Sequence, residues 1–355
     1  MRRRIEKLLS GLAAAGAQGG LLHSPENMRY FTGFTGEGCA FIADGVSVVL
    51  TDSRYTEQAR KQSPGCTVLE PENRDYPQTI GKLVREHGMS VLGFEDEFLP
   101  VAQHSQFIKA LDPARLIPMG ELCVGIRAVK DADEMKLLRE ACRITDQAFQ
   151  YFLAILKPGA SEIEISAELK YYMAKHHKAA QSFEFIVASG ENGSMPHAIT
   201  SERLIRAGDM VTLDFGAEYC GYHADMTRTV AVGKPQDKML EIYRIVQDAQ
   251  ARAAEALAPG KSCREVDAIA RDLIRQHGYG ENFGHGLGHG VGLQIHEQPV
   301  LSGRSSTILE PGMAVTVEPG IYLPGVGGVR IEDTCLITDT GWESLFVSEK
   351  SLIIL

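Results

Sequence analysis

The sequence predicts an α+β chain in two parts, a smaller α/β domain followed by a larger one of duplicated construction. Three observations carry this. Short apolar runs of strand length alternate with amphipathic helical stretches over the first ~120 residues. A helix–turn–helix–strand pattern then recurs at spacings of 101 and 104 residues. At 355 residues the chain also exceeds one typical domain of ~150. Hydrophobic residues make up 44% and charged residues 23%, ordinary globular values that exclude disorder and a collagen-like fibre.

The front part opens on Met1-Arg2-Arg3-Arg4 and a Leu- and Ala-rich stretch that loosely imitates a secretory leader. Glu6 and Lys7 interrupt it, and Ile5, Leu8, Leu9 and Leu12 share one helical face. An amphipathic helix over 2–16 is therefore expected. Strands are expected over 20–22, 39–43, 46–50 and 91–94, and helices near 53–62, 76–88 and 101–110. A strongly periodic helix begins after Arg127-Ala128-Val129-Lys130, with Asp131, Asp133 and Glu134 placed to suit its dipole. The domain break is placed near residue 124, giving domains 1–124 and 125–355. The longest apolar runs are of strand length, so no membrane span is expected.

In the second part, Leu156-Lys157-Pro158-Gly159 recurs as Leu257-Ala258-Pro259-Gly260, and Ser161, Glu164 and Ala167 as Ser262, Glu265 and Ala268. The stretch from Gly208 to Gly216 likewise matches that from Gly312 to Gly320. Two copies are too few for a solenoid, which needs ~3. A pseudo-twofold α+β domain fits, and each copy ends a strand on a carboxylate.

Net charge is −10, which lacks the electrostatic footprint of a nucleic-acid binder. The seven cysteines are odd in number and scattered, with no Cys-x-x-Cys pair. They read as reduced, mostly buried thiols of a cytoplasmic protein and offer no sulfur-ligated zinc site.

Chemistry concentrates in the second part. Asp214 closes the apolar run Met210-Val211-Thr212-Leu213, where an unpartnered carboxylate is expensive. Asp225 follows eleven residues on, close enough for a hairpin to bring the two together. The second copy repeats this with Glu318, after Ala314-Val315-Thr316-Val317, and Glu332. Four carboxylates meeting across a pseudo-twofold axis repel one another unless cations lie between them. His289 completes the set from a run that alternates glycine and histidine, 284–290. Glycine at that density lets backbones approach closely. No Gly-x-Gly-x-x-Gly, His-Glu-x-x-His, Gly-x-Ser-x-Gly or Walker pattern is present, and Pro299 forbids a helical ligand pair after His296. Such an oxygen-rich set suits Mn²⁺, admits Co²⁺ or Fe²⁺, and suits Zn²⁺ less. Two divalent ions ~3.5–4 Å apart balance four carboxylates and share an ionised water, a standard hydrolytic centre.

Taken in order, Asp214, Asp225, His289, Glu318 and Glu332, with Pro196-His197-Ala198 upstream, resemble the pita-bread metallopeptidases (family M24). That fold is shared by methionine aminopeptidases, aminopeptidase P, prolidase and the metal-free creatinases. The resemblance covers residues 125–350. It extends to the front domain, where Asn27-Met28-Arg29-Tyr30-Phe31-Thr32-Gly33-Phe34 and Thr51-Asp52-Ser53-Arg54-Tyr55 resemble the creatinase/prolidase amino-terminal domain and favour the proline-peptidase branch. It implies that Asp214 chelates one metal, that His289 and Glu318 bind the other, and that Asp225 and Glu332 bridge. A bridging hydroxide would attack the scissile carbonyl and Glu318 would pass its proton to the leaving nitrogen. His197 and His296 would stabilise the intermediate, His285 would line the proline pocket, and Arg330 would hold the carboxylates in place. A proline-containing peptide substrate and a homodimer, with the partner's front domain bordering the active site, are implied in the same way.

Some prolidases carry an arginine soon after His-Glu-x-Pro to hold the dipeptide carboxylate. Here Val300 follows Pro299, and the nearest arginine is Arg304. This leans towards aminopeptidase P-like cleavage of longer Xaa-Pro peptides, with prolidase as the alternative. A non-catalytic binding protein and a creatinase-like hydrolase remain as further alternatives, against which the filled set of five ligand positions argues.

Overall fold

A computed structural model describes residues Met1–Leu355, which divide into two compact units, Met1–Arg127 and Ala128–Leu355. In the first, α1 (Arg2–Ala14) buries Leu8 and Leu12 from its apolar face. Six strands form one sheet: β1 (Gly19–Leu22), β2 (Cys39–Ala43), β3 (Val46–Leu50), β4 (Thr67–Leu69), β5 (Val91–Phe94) and β6 (Arg115–Pro118). Their order is β4-β3-β2-β1-β5-β6. β1, β2 and β3 pair antiparallel, while β4, β5 and β6 add in parallel.

Helices α2 (Pro25–Thr32), α3 (Thr56–Gln62), α4 (Tyr76–Glu86) and α5 (Val101–Leu111) connect the strands, and α6 (Leu122–Ala128) follows the last of them. Residue 124, where the break was expected, lies inside α6, because the connection is helical rather than an open linker. Periodicity in the sequence does not reveal α2. It is set by Ser24, whose hydroxyl accepts from the Asn27 N–H, by Pro25 in the first turn and by Gly33, left-handed at φ 86°, at its end.

The second unit is built twice. Helices α7 (Ala132–Ile155) and α8 (Glu162–His177) meet at Pro158-Gly159, and α9 (Asp237–Glu255) and α10 (Cys263–Gln276) at Pro259-Gly260. Gly159 and Gly260 take nearly equal left-handed conformations, φ 90° and 84°. The recurring Ser161/Glu164 and Ser262/Glu265 pairs are capping boxes that start α8 and α10.

Between the helix pairs lie β7 (Ala180–Gln181), β8 (Ile186–Ser189), β9 (Met210–Phe215), β10 (Ala217–Tyr219), β11 (Tyr222–His223) and β12 (Met226–Ala231). After α10 come β13 (Gly288–Gly290), β14 (Glu297–Leu301), β15 (Ala314–Val317), β16 (Gly320–Leu323), β17 (Gly327–Arg330), β18 (Asp333–Ile337) and β19 (Trp342–Ser344). The first repeat gives the sheet β12-β9-β8, the second β14-β13-β15-β18-β19. Two hydrophobic cores follow the duplication: α7 and α8 pack on Leu213, Phe215 and Met226, while α9 and α10 pack on Val315, Val317 and Cys335. The inner strand pairs β9–β12 and β15–β18 lie between the two helix layers. No helix is long and apolar enough to cross a membrane.

Candidate metal centre

Asp214 sits in β9 opposite Thr227 of β12, and Asp225 immediately precedes β12. In the second repeat Val317 is paired with Asp333, so Glu318 and Glu332 lie one step beyond the end of the ladder. Each strand pair thus delivers two carboxylates at one end, as the sequence pattern anticipates.

His289 arrives from β13, which is hydrogen-bonded to β15. Its flanking glycines are a packing requirement: a Cβ at Gly288 would lie 2.0 Å from the Thr316 carbonyl oxygen, and one at Gly290 would lie 2.2 Å from that of Gln298. The His289 backbone N–H donates to Thr316 Oγ1 at 3.0 Å, and its Nδ1–H to the Gly290 carbonyl at 3.0 Å. That bond fixes the ring orientation and turns Nε2 inward. Nε2 lies 3.4 Å from Asp225 Oδ2 and 3.3 Å from Glu318 Oε1. Ligand atoms of Asp225, His289 and Glu332 all lie within 4.8 Å of one another.

The carboxylates are unevenly satisfied. Asp214 Oδ2 accepts from Arg330 Nη2 at 2.6 Å, Glu332 Oε2 from Thr227 Oγ1 at 2.6 Å and Glu318 Oε1 from Thr316 Oγ1 at 3.1 Å. Asp214 Oδ1, Asp225 Oδ1 and Glu332 Oε1 are buried and have no partner. Three orphaned acceptors beside a fixed imidazole nitrogen are costly unless something positive completes them. The donor set therefore fits divalent cations. With only protein atoms present, burial and then the charges of Glu332, Asp214 and Glu318 push Asp225 well above the usual carboxylate range. Burial and the charges of Glu318 and Asp214 do the same to Glu332. Burial also acts on Glu318, but its hydrogen bond to His289 and the nearby charges outweigh it and hold this carboxyl down to about 2.

Arg330 is buried and spends its guanidinium on Asp214, on Thr227 Oγ1 at 3.1 Å, on the Tyr322 hydroxyl at 2.9 Å and on the Pro196 carbonyl at 3.2 Å. It thus ties the His197 loop to the carboxylates. Tyr322 passes a hydrogen bond on to His285 Nε2 at 2.9 Å, while His285 Nδ1–H donates to the Gly286 carbonyl. Burial lowers the pKa of His285, so it stays neutral and accepting. His296 is exposed with its ring 4.4 Å from that of His289, and His197 is exposed directly after Pro196. The structure thus gathers Asp225, His289, Glu318 and Glu332 directly, Asp214 and His285 through Arg330 and Tyr322, and His296 at the rim.

Sequence reasoning did not single out Thr227, Thr316 or Tyr322. Thr316 recurs at the Thr212 position of the repeat, which was a usable signal. Tyr322 carried none, since only the fold brings it to His285.

Comparison with known proteins shows the family of the chain. The profile described as Metallopeptidase family M24 matches residues 136–339, and that of the Creatinase/Prolidase N-terminal domain matches residues 4–129. A solved structure described as an Xaa-Pro dipeptidase from Bacillus anthracis superposes with a TM-score of 0.96 at 47% identity, covering 100% of this chain and 99% of that one. An Xaa-Pro dipeptidase of Pyrococcus furiosus is 36% identical over 99% of this chain and 100% of its own length. The structure of an X-Pro aminopeptidase from Thermotoga maritima gives a TM-score of 0.90 at 34% identity, covering 98% and 100%. The chain belongs to metallopeptidase family M24 and carries a creatinase/prolidase front domain.

Proposed function

We propose that this M24 metallopeptidase hydrolyses the bond between an amino-terminal residue and proline, with two divalent cations, Mn²⁺ first among them. The observation that carries the reading is the trio of buried, unpartnered carboxylate oxygens beside His289 Nε2. Asp214 would hold one cation, His289 and Glu318 the other, and Asp225 and Glu332 both. When bound, such ions polarise a carbonyl and lower the pKa of water.

The side chains do the rest. Glu318 would take the proton of the attacking water and deliver it to the proline nitrogen. His296 and His197, exposed at the rim, donate to the oxygen on which charge develops. His285, oriented by Tyr322, borders the proline ring, and Arg330 keeps Asp214 in place. A dedicated site is needed because an Xaa-Pro bond has no N–H for a general peptidase to use.

We favour Xaa-Pro dipeptides as substrates, because the relatives from Bacillus anthracis and Pyrococcus furiosus, matched over nearly their whole length, bear that name. Longer Xaa-Pro peptides are the second reading. It is favoured by exposed Val300, where an arginine could hold a dipeptide carboxylate, and by the Thermotoga maritima neighbour's name. Chelator-stripped protein should regain hydrolysis of Ala-Pro when Mn²⁺ or Co²⁺ is added. Cleavage of Ala-Pro-Ala with Ala-Pro inert would select the second reading, and no cleavage of either would overturn both. The reading includes a homodimer, which a sedimentation mass of a single 38.8-kDa chain would contradict.

A further inference from the structure

We infer that Arg228 is a positioning residue for Glu332, acting through its backbone from behind the metal centre. The inference rests on Glu332 being a cation ligand. Arg228 is 2% exposed and all five of its N–H donors are used. Nη1 donates to the Thr227 carbonyl at 3.0 Å and the Glu332 carbonyl at 2.5 Å. Nη2 donates to Asp333 Oδ1 at 2.7 Å and the Ser348 carbonyl at 2.8 Å, and Nε to the Glu349 carbonyl at 3.0 Å.

Glu332 is consequently gripped at three points by two consecutive residues. Its N–H donates to the Thr227 carbonyl at 3.1 Å, its Oε2 accepts from Thr227 Oγ1, and its carbonyl accepts from Arg228. Only Glu332 Oε1 is left without a partner, next to Asp225 and His289.

The grip has its own support. Asp333 also accepts from Ser344 Oγ at 3.0 Å and pairs with Lys350. The Ser348 backbone N–H donates to Asp146 of α7 at 2.9 Å, which holds the segment that supplies two of the carbonyls Arg228 uses. A buried guanidinium with a carboxylate partner and every donor satisfied resists displacement. It sets the backbone from which Glu332 projects, so a shorter donor fork should let that carboxylate drift from its position.

The test is Mn²⁺ titration of folded, chelator-stripped protein, with wild type and three variants compared. Arg228→Lys offers three donors in place of a planar fork. It is expected to weaken binding about 10- to 100-fold, the usual cost of losing such outer support. KM for Ala-Pro should stay unchanged and kcat should recover in excess Mn²⁺, a split that mere loss of stability would not produce. Arg203→Lys, which disturbs the Arg203–Asp209 pair, should lower Tm and leave Mn²⁺ affinity alone. Lys350→Met, at a side chain 30% exposed, keeps the fold and should weaken binding in the same direction by a smaller factor. Wild-type affinity in folded Arg228→Lys overturns the inference; should that variant not fold, wild-type affinity in Lys350→Met does so. A wild-type protein that binds no divalent cation would instead overturn the proposed function.

Discussion

At the residue scale, buried polar atoms without partners gather at the candidate metal centre and stand singly elsewhere. At the centre, unpartnered oxygens converge and are useful together. His23 in the front unit shows the bare cost of one such atom: its Nδ1 is buried without a partner, its ring edge meets Phe107, and burial pushes its pKa down to about 4. The folded chain thus keeps His23 neutral while the unfolded chain protonates it near 6.5. The stability it contributes is therefore complete above about pH 6.5 and is lost as pH falls towards 4. His23→Leu should show a higher Tm than wild type at pH 5, with a gap that narrows towards pH 7. Parallel Tm curves over that range would contradict this.

At the element scale, the glycine–histidine run is a strand built for close approach. Gly288 has no room for a Cβ against the Thr316 carbonyl, whereas a Cβ at Gly284 would meet nothing within 4 Å. Gly288→Ala should therefore part β13 from β15, carry His289 away from Glu318 and cost more than about 3 kcal/mol. Gly284→Ala should stay within about 0.5 kcal/mol of wild type. Urea unfolding of the two variants checks the contrast, and equal losses would contradict it. The helix pairs show how local signals propagate. Ser161/Glu164 and Ser262/Glu265 are visible in sequence as a repeat, and each closes a capping box in the fold. Helix α2 was equally marked, by Ser24-Pro25 and Gly33, but its eight residues are too short for periodicity to stand out.

At the scale of the whole molecule, carboxylates from two repeats are held together against their own repulsion. Cations that bind the folded state and not the unfolded chain must then stabilise it by mass action, by about 2.7 kcal/mol at a hundred times the Kd. Calorimetry of chelator-stripped protein should show Tm rising with Mn²⁺ concentration, and a Tm indifferent to Mn²⁺ would contradict the metal reading.

The sequence by itself determined the duplication, the strands that end on Asp214 and Glu318, and the family resemblance carried in order by Asp214, Asp225, His289, Glu318 and Glu332. The first two are properties of spacing and periodicity and the third of residue identities in order, all of which survive without coordinates. Only the tertiary structure decided which oxygens are left unpartnered, that Tyr322 links Arg330 to His285, and that Arg228 grips Glu332 from behind. Those contacts join residues up to 104 positions apart in the chain. Their geometry depends on which strands pair and in what register, and no local pattern encodes that.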